Sequence, residues 1–543
     1  MKRLFRNLVL SITFIACIAA VAIAQDSPVT ITLLHVNDTH SHLDATGPKD
    51  WHLDGTTGGL AKAATIIQRV RQREPNVLLL HAGDAFHGDF FFNAYFGVPE
   101  FLFMKQLGFD AMAVGNHEFD LGPGMLAHSL AQAFAGGSFP LLSANLDLSA
   151  YDTAAPPDLR LSPWVKPSVI KQIGGLSIGI FGMTVPGVPT TRSDPVRILG
   201  SDPAQLMGIA FFRVQGLRAA GAQVVICLSH LGYLYDQAMA ENVPGIDIIV
   251  GGHDHYEFAQ PVTFTNQGTQ GATLYVQAGK HYEHVGKMHF TAYKGTVQLR
   301  DYALIDVDRK IDPLPQIQTV VDNQLKPGIV QLYGDVYHKL LALVLDDITM
   351  TNDPNRRERD SGMGNLITDA MRARTHTEIA LTANGLISEG ITRGLIVGAD
   401  IFRPVSFGYD VPTGLGLKLA TFEISAIDLI KGLEIGLAYL GIDEDYFVQV
   451  SGMRFHYDST QPPFQRIVPG SLFINGKAWN PAGTYTVTAN TGLVALLPLM
   501  GISPRDVNYL PDIEYLVLRD YIHRLGILYY PAMGRIEDLS IHR

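Results

Sequence analysis

The sequence predicts an α/β protein built from two units, and three observations carry that reading. From Val29 to about Asp308, apolar strand-like runs alternate with amphipathic, helix-like segments. The ends of those runs deliver Asp, His and Asn at one rim, where α/β sheets bind ligands. A second mixed unit starts near Val336 and runs to the end of the chain. The strand candidates of the first unit are Val29–Val36, Val77–Leu80, Ala111–Val114, Ile178–Met183, Val224–Leu228, Ile246–Val250, Leu274–Gln277 and Val285–Tyr293. They are short, rich in Val, Ile and Leu, and bounded by Gly, Asp and Asn, as buried strands are. Between them, Leu60–Arg73 and Pro203–Ala219 carry helical patterns. Pro313–Gly334 reads as a polar helix or connector. In the second unit Asn365–Thr375 and Ser425–Leu440 read as helices, and Glu378–Thr382 and Thr484–Ala489 as strands.

Composition bounds the function. The 543 residues exceed one ordinary core, and 47% hydrophobic with 17% charged residues excludes global disorder and coiled coil. Lys and Arg number 41 against 52 Asp and Glu, net −11, with no basic block. A binder of nucleic-acid polymers is therefore not predicted, whereas a small phosphate ester can still bind where metal ions supply positive charge.

Residues 1–24 read as a signal peptide. Lys2, Arg3 and Arg6 precede an apolar run from Leu8 to Ile23, and Ala22-Ile23-Ala24 offers a cleavage site. An uncleaved anchor and a lipoprotein acylated at Cys17 are the alternative readings. No other stretch is long and apolar enough to span a bilayer, so no stable span is expected in the mature chain. That chain keeps one cysteine, Cys227, which fits a periplasmic, secreted or cell-surface protein without disulfides. The sequence leaves the oligomeric state open.

The chemistry sits at the strand ends. The first run leads into Asp38-Thr39-His40, the second into Gly83-Asp84, and the third into Gly115-Asn116-His117-Glu118-Phe119-Asp120. Later runs lead into Ser229-His230 and Gly251-Gly252-His253-Asp254-His255. Each piece alone is weak, since a lone Asp-x-His is commonly a turn or capping pair. Together, carboxylate, imidazole and amide suit Zn, Mn or a similar divalent ion. Seven candidate ligands (Asp38, His40, Asp84, Asn116, His230, His253 and His255) are too many for one tetrahedral ion. They suit two ions sharing a carboxylate, an arrangement that clamps a phosphate and activates water. The glycines beside Asp84, Asn116 and His253 are expected to let the backbone approach the ions.

These motifs resemble the calcineurin-like metallophosphoesterases. Leu34-His35-x-Asn37-Asp38-x-His40 and Gly115–Asp120 resemble their 5′-nucleotidase and UDP-sugar hydrolase branch. In the second unit, Gly362–Ala370 and Val450-Ser451-Gly452-Met453-Arg454 resemble that branch too. The resemblance implies a four-layer α/β metallophosphoesterase sandwich over residues 29–310. A connector over 311–335 and an α/β 5′-nucleotidase-type substrate domain over 336–543 would follow. It implies that Asp38, His40 and His255 hold one ion, that Asn116, His230 and His253 hold the other, and that Asp84 bridges. His117, held by Asp120, would stabilise developing charge or protonate the leaving oxygen. The implied reaction is in-line attack of a metal-bound hydroxide on a nucleoside 5′-monophosphate or related nucleotide, without a covalent intermediate.

The substrate residues depart from the family pattern. Arg357 matches a substrate arginine, Asn384-Gly385 begins the expected block, and Phe407 matches one base-stacking ring. The block then reads Leu386-Ile387-Ser388 and lacks its arginine, and the stretch Thr488–Val494 lacks the second ring. Weaker nucleotide selectivity is expected, with the metal chemistry intact. Alternative activities are a 2′,3′-cyclic phosphodiesterase, a UDP-sugar pyrophosphatase, a general phosphomonoesterase or, more distantly, a thiosulfate-ester hydrolase. An inactive surface binding protein is the reading of another class.

Overall fold

The structure is a computed structural model describing residues 27–267, 271–350 and 354–541. The signal-peptide reading of residues 1–24, including Cys17, lies outside the described residues. No described helix is long and apolar enough to cross a membrane.

Two sheets form the N-terminal unit. A seven-stranded sheet runs in the order Thr296–Asp306, His284–Tyr293, Val29–Val36, Val77–His81, Ala111–Ala113, Leu141–Leu142, Val165–Lys166. Its strands are parallel from Val29–Val36 onward, and His284–Tyr293 pairs antiparallel with Val29–Val36. A six-stranded sheet runs Val262–Thr265, Ala272–Val276, Ile248–Val250, Val224–His230, Leu176–Thr184, Ser168–Ile173, with its four central strands parallel.

The period-two alternation of strands decides which side chains face where. Ile31 and Leu33 pack between the sheets against Ile178, Ile180, Ile226, Leu228 and Val250. Leu34 and Val36 point the other way, toward the helix Leu60–Arg73. On the second sheet Phe181, Val225, Cys227 and Ile249 face outward to the helix Pro203–Ala219. The result is four layers, helix–sheet–sheet–helix. Both faces of each sheet are covered, which is why the strands read as continuous apolar runs.

The connector is helical and packed rather than loose. Pro315–Val320, a π-helical turn at Val321–Leu325 and Lys326–Tyr333 bury Ile317, Val321 and Ile329. Lys326 Nζ is 2.6 Å from Asp44, and Tyr95 Oη donates to the Leu325 carbonyl at 2.7 Å. Beyond it, a five-stranded mixed sheet runs Val448–Ser451, Ile379–Ala383, Thr484–Asn490, Lys418–Ser425, Arg505–Ile513. Helices Gly362–Thr375, Ala426–Ala438 and Glu514–Leu525 pack around it. Ser361 caps the first of these, accepting from Gly364 N at 3.0 Å. The two units share apolar contacts, Phe90 stacking on Phe402 at 4.0 Å. Asp89, Arg403 and Asp400 form a buried charge network across the same junction.

Candidate metal centre

The carboxyl ends of the central strands of both sheets converge on one seam. Asp38, Asp84 and Asn116 follow strands of the first sheet, while His230 ends and His253 follows strands of the second. Two groups result. Ligand atoms of Asp38, His40 and His255 lie within 4.8 Å of one another, as do those of Asp84, His230 and His253. His40 Nε2 is 3.1 Å from His255 Nε2, and His255 Nε2 is 3.6 Å from Asp38 Oδ1. His230 Nε2 is 2.9 Å from Asp84 Oδ2 and 3.9 Å from Asp38 Oδ1, so the groups adjoin.

The surroundings orient these candidate ligands. The Phe86 carbonyl accepts from His40 Nδ1 at 3.1 Å, and the Ala82 carbonyl from His230 Nδ1 at 2.7 Å. A carbonyl can only accept, so each Nδ1 carries the proton and each Nε2 is turned into the site, as in metal-binding histidines. Asp38 accepts from the His253 amide at 3.1 and 3.0 Å and from Asn37 Nδ2 at 2.7 Å. Glu118 accepts from four amides: Gly115 at 2.6 Å, Ala85 at 2.7 Å, Asp84 at 3.1 Å and Phe86 at 3.3 Å. It thereby ties two ligand loops together.

The backbone is held in unusual conformations here. Asp38, His40, Asp84, His253 and His255 all have φ between 45° and 83°. Such left-handed non-glycine residues cost on the order of 1–3 kcal/mol each and cluster at functional sites. The glycine expectation takes a specific form: a Cβ on Gly115 would overlap Asp84 Oδ1, and one on Gly252 would lie 3.1 Å from Asp38 Oδ2. Both glycines admit the Asp84 and Asp38 carboxylates against the chain.

The donor set fits divalent cations. Asn116 Oδ1 is buried with no hydrogen-bond partner among the described residues. Burial pushes the Asp38 carboxyl up to about 7, with the Asp84 charge adding to the push and His230 opposing it. Burial also favours the neutral form of His40 and His253, whose pKa values are lowered. An orphaned amide oxygen, the neutral imidazoles of His40 and His253 and the crowded carboxylates of Asp38 and Asp84 are what bound cations satisfy.

A third group flanks the ligands. His117 Nδ1 lies 2.9 Å from Asp120 Oδ2, and the His40 and His117 rings meet edge to face at 5.3 Å. Burial opposes the charged form of His117, but Asp120 and Asp84 outweigh it and raise its pKa to about 9. Sequence reasoning missed His87, which lies 3.2 Å from the same Asp120 oxygen and stacks on His117 at 4.8 Å. Its one sequence signal is its place in the Gly83–Gly88 loop.

The substrate candidates fall in different places. Phe407, from the C-terminal unit, has its ring 4.5 Å from His87 and 5.9 Å from His117. Asn384 is buried and accepts from Gln449 Nε2 at 2.9 Å. Arg357 donates Nε to Glu537 Oε2 at 2.9 Å, so a carboxylate of its own domain holds the guanidinium.

Comparison with known proteins adds the context. The calcineurin-like phosphoesterase family profile matches residues 31–257, and that of the 5′-nucleotidase C-terminal domain matches residues 343–495. The chain is 28% identical to a 5′-nucleotidase of Diplobatis ommata over 84% of this chain and 80% of that protein. It is 27% identical to a snake venom 5′-nucleotidase of Naja atra over 93% and 98% of the two chains. A solved 5′-nucleotidase precursor from Thermus thermophilus superposes with a TM-score of 0.78 at 28% identity, covering 94% of this chain and 100% of that one.

Proposed function

Because the chain belongs to the calcineurin-like phosphoesterases that carry a 5′-nucleotidase C-terminal domain, and is a metal-dependent phosphoester hydrolase, we propose that it hydrolyses nucleoside 5′-monophosphates or related nucleotides at two divalent ions. The observation that carries the reading is the pair of adjoining ligand groups beside His117–Asp120, faced by Phe407 from the second domain. When bound, the ions neutralise phosphoryl oxygens and supply an activated water.

The residues of the chain have separate tasks. Asp38, His40 and His255 would hold one ion, Asn116, His230 and His253 the other, with Asp84 between. Asp120 accepts from His117 Nδ1, which leaves Nε2 to deliver a proton to the departing ester oxygen. Phe407 offers a face for the base, and base–aromatic stacking contributes about 1–3 kcal/mol per base. The leader pattern of residues 1–24 and the likeness to a venom enzyme support an exported protein.

The test is phosphate release by the purified mature protein with Mn or Zn. AMP, UDP-glucose, cyclic 2′,3′-AMP and an aryl phosphate would be compared, with Asp84→Asn as control. Preference for AMP, lost in Asp84→Asn, is the expected result; wild-type turnover by that variant would refute the mechanism. A general phosphomonoesterase is the second reading, favoured by the engagement of Arg357 with Glu537, and equal turnover of the aryl phosphate would select it.

A further inference from the structure

We propose that His87 is a positioning residue, linking the second domain to the His117–Asp120 pair through a chain of hydrogen bonds. The role rests on the reading of His117 as proton donor to the departing ester oxygen. Asp120 Oδ2 accepts from two ring nitrogens, His117 Nδ1 at 2.9 Å and His87 Nδ1 at 3.2 Å. On the far side of the ring, His87 Nε2 lies 3.2 Å from the Ser406 hydroxyl, and Ser406 Oγ lies 3.1 Å from Ser388 Oγ. His87 and Asp120 belong to the segment matching the calcineurin-like phosphoesterases, Ser406 and Ser388 to that matching the 5′-nucleotidase C-terminal domain. The chain of bonds therefore crosses the domain junction, from Ser388 through Ser406, His87 and Asp120 to His117.

The link is buried and well defined. His87 is 3% exposed and Ser406 is fully buried, so water cannot stand in for either partner. A carboxylate only accepts, so His87 Nδ1 carries a proton. A hydroxyl both donates and accepts, so Ser406 satisfies Nε2 whether the ring is neutral or charged, and the link does not depend on the charge of His87. The backbone fixes where the ring points. His87 has φ 72°, and a Cβ on the next residue, Gly88, would come within 2.7 Å of the His40 carbonyl oxygen. Left-handed non-glycine residues persist only where their surroundings over-determine them.

The geometry makes His87 act through its neighbours rather than on the ester. Two N–H donors share one Asp120 oxygen, so His87 helps to place the carboxylate that orients His117. The His87 and His117 rings also stack at 4.8 Å and 16°, which limits how far the His117 ring can tilt. Ser406 precedes Phe407, whose ring lies 4.5 Å from His87. The segment that offers a face to the base is thus the segment that completes the chain. Moving the second domain away would break the Ser406–His87 bond and free the ring to turn from Asp120. Proton delivery by His117 is thereby matched to the domain arrangement in which Phe407 faces the site.

The experiment is a double-mutant cycle read on kcat for AMP and for para-nitrophenyl phosphate, with bound metal counted in every variant. Nitrophenolate leaves without a proton, whereas the ribose oxygen of AMP needs one. His87→Ala should lower kcat for AMP by up to about 10²-fold. It should lower kcat less for para-nitrophenyl phosphate, move KM less than kcat, and leave bound metal at the wild-type level. In a His117→Ala background the same substitution should cost about twofold or less, because nothing is left to position. His87→Gln keeps a donor for Asp120 and an acceptor for Ser406 and should recover most of the loss. Ser406→Ala, a small change in the other domain, should reproduce the AMP-selective loss in weaker form, which keeps the test readable if His87→Ala folds poorly. Equal losses on both substrates, an undiminished cost in the His117→Ala background, or a Gln variant no better than Ala would overturn the proposal. Wild-type kcat for AMP in His117→Ala would refute the reading of His117 and the role of His87 with it.

Discussion

Arg403 provides the sharpest test of how the two domains are fastened. Its Nε donates to Asp89 at 2.7 Å across the junction, and its Nη1 donates to Asp400 at 2.9 Å. Lys49 lies 3.1 Å from Asp400, so two cations and two carboxylates balance. The side chains of Arg403 and Asp89 are only 5% and 3% exposed, so water cannot replace a missing partner. Asp89 also caps the helix Phe90–Tyr95, accepting from Phe91 N. Arg403→Met keeps the aliphatic stem but strands the Asp89 charge. Removing one partner of a buried pair costs about 3–5 kcal/mol, or roughly two to four powers of ten in a local opening equilibrium. Hydrogen exchange read by mass spectrometry on peptides covering residues 89–95 and 398–405 measures that opening directly. Adding Asp89→Asn should recover part of the loss, because a neutral amide tolerates burial better than an unpaired carboxylate. A change below one power of ten in Arg403→Met would show that the network does not hold the junction.

Three further outcomes follow from named contacts. Phe407→Ala should raise KM for AMP about 5- to 150-fold, the equivalent of 1–3 kcal/mol of stacking, and leave aryl phosphate turnover unchanged; equal effects on both substrates would remove Phe407 from base recognition. His117→Ala should lower kcat by about 10²–10⁴-fold while bound metal, measured by mass spectrometry, stays at the wild-type level. Glu514 supplies a pH test away from the metals. Burial pushes its carboxyl from 4.5 up to about 8, with the Asn490 amide opposing the push. Between those values the folded state holds a proton that the unfolded chain has released, so stability falls as pH rises through that window, by on the order of a few kcal/mol. Glu514→Gln should therefore melt above wild type at pH 9 and lose that advantage below pH 4.5; a pH-independent difference would refute the assignment.

Much of the architecture is written in local pattern. The runs at Val29–Val36 and Val224–Leu228, and the helices Leu60–Arg73 and Pro203–Ala219, are legible because strand and helix periodicity repeat over neighbouring residues. The position of Asp38, Asp84, Asn116 and His253 just after strand ends is equally local, and parallel strands bring their carboxyl ends to one rim. The connector shows the limit. Ile317, Val321 and Ile329 make a buried helical face in a stretch that reads as largely polar, because a few apolar side chains suffice to seat it.

Relations across long sequence separations leave no periodic trace and emerge only on folding. Nothing around Ser406 in the sequence announces His87, and nothing around Arg403 announces Asp89. Arg357 looks free to meet substrate until Glu537 is placed beside it. The tautomers of His40 and His230 are set by the carbonyls of Phe86 and Ala82, through which folding aims each Nε2. Which ligand types stand at the strand ends is legible from chain position alone. Which atoms face one another is settled by the packed sheets and the second domain, because hydrogen-bond direction, burial and charge pairing exist only once distant segments meet.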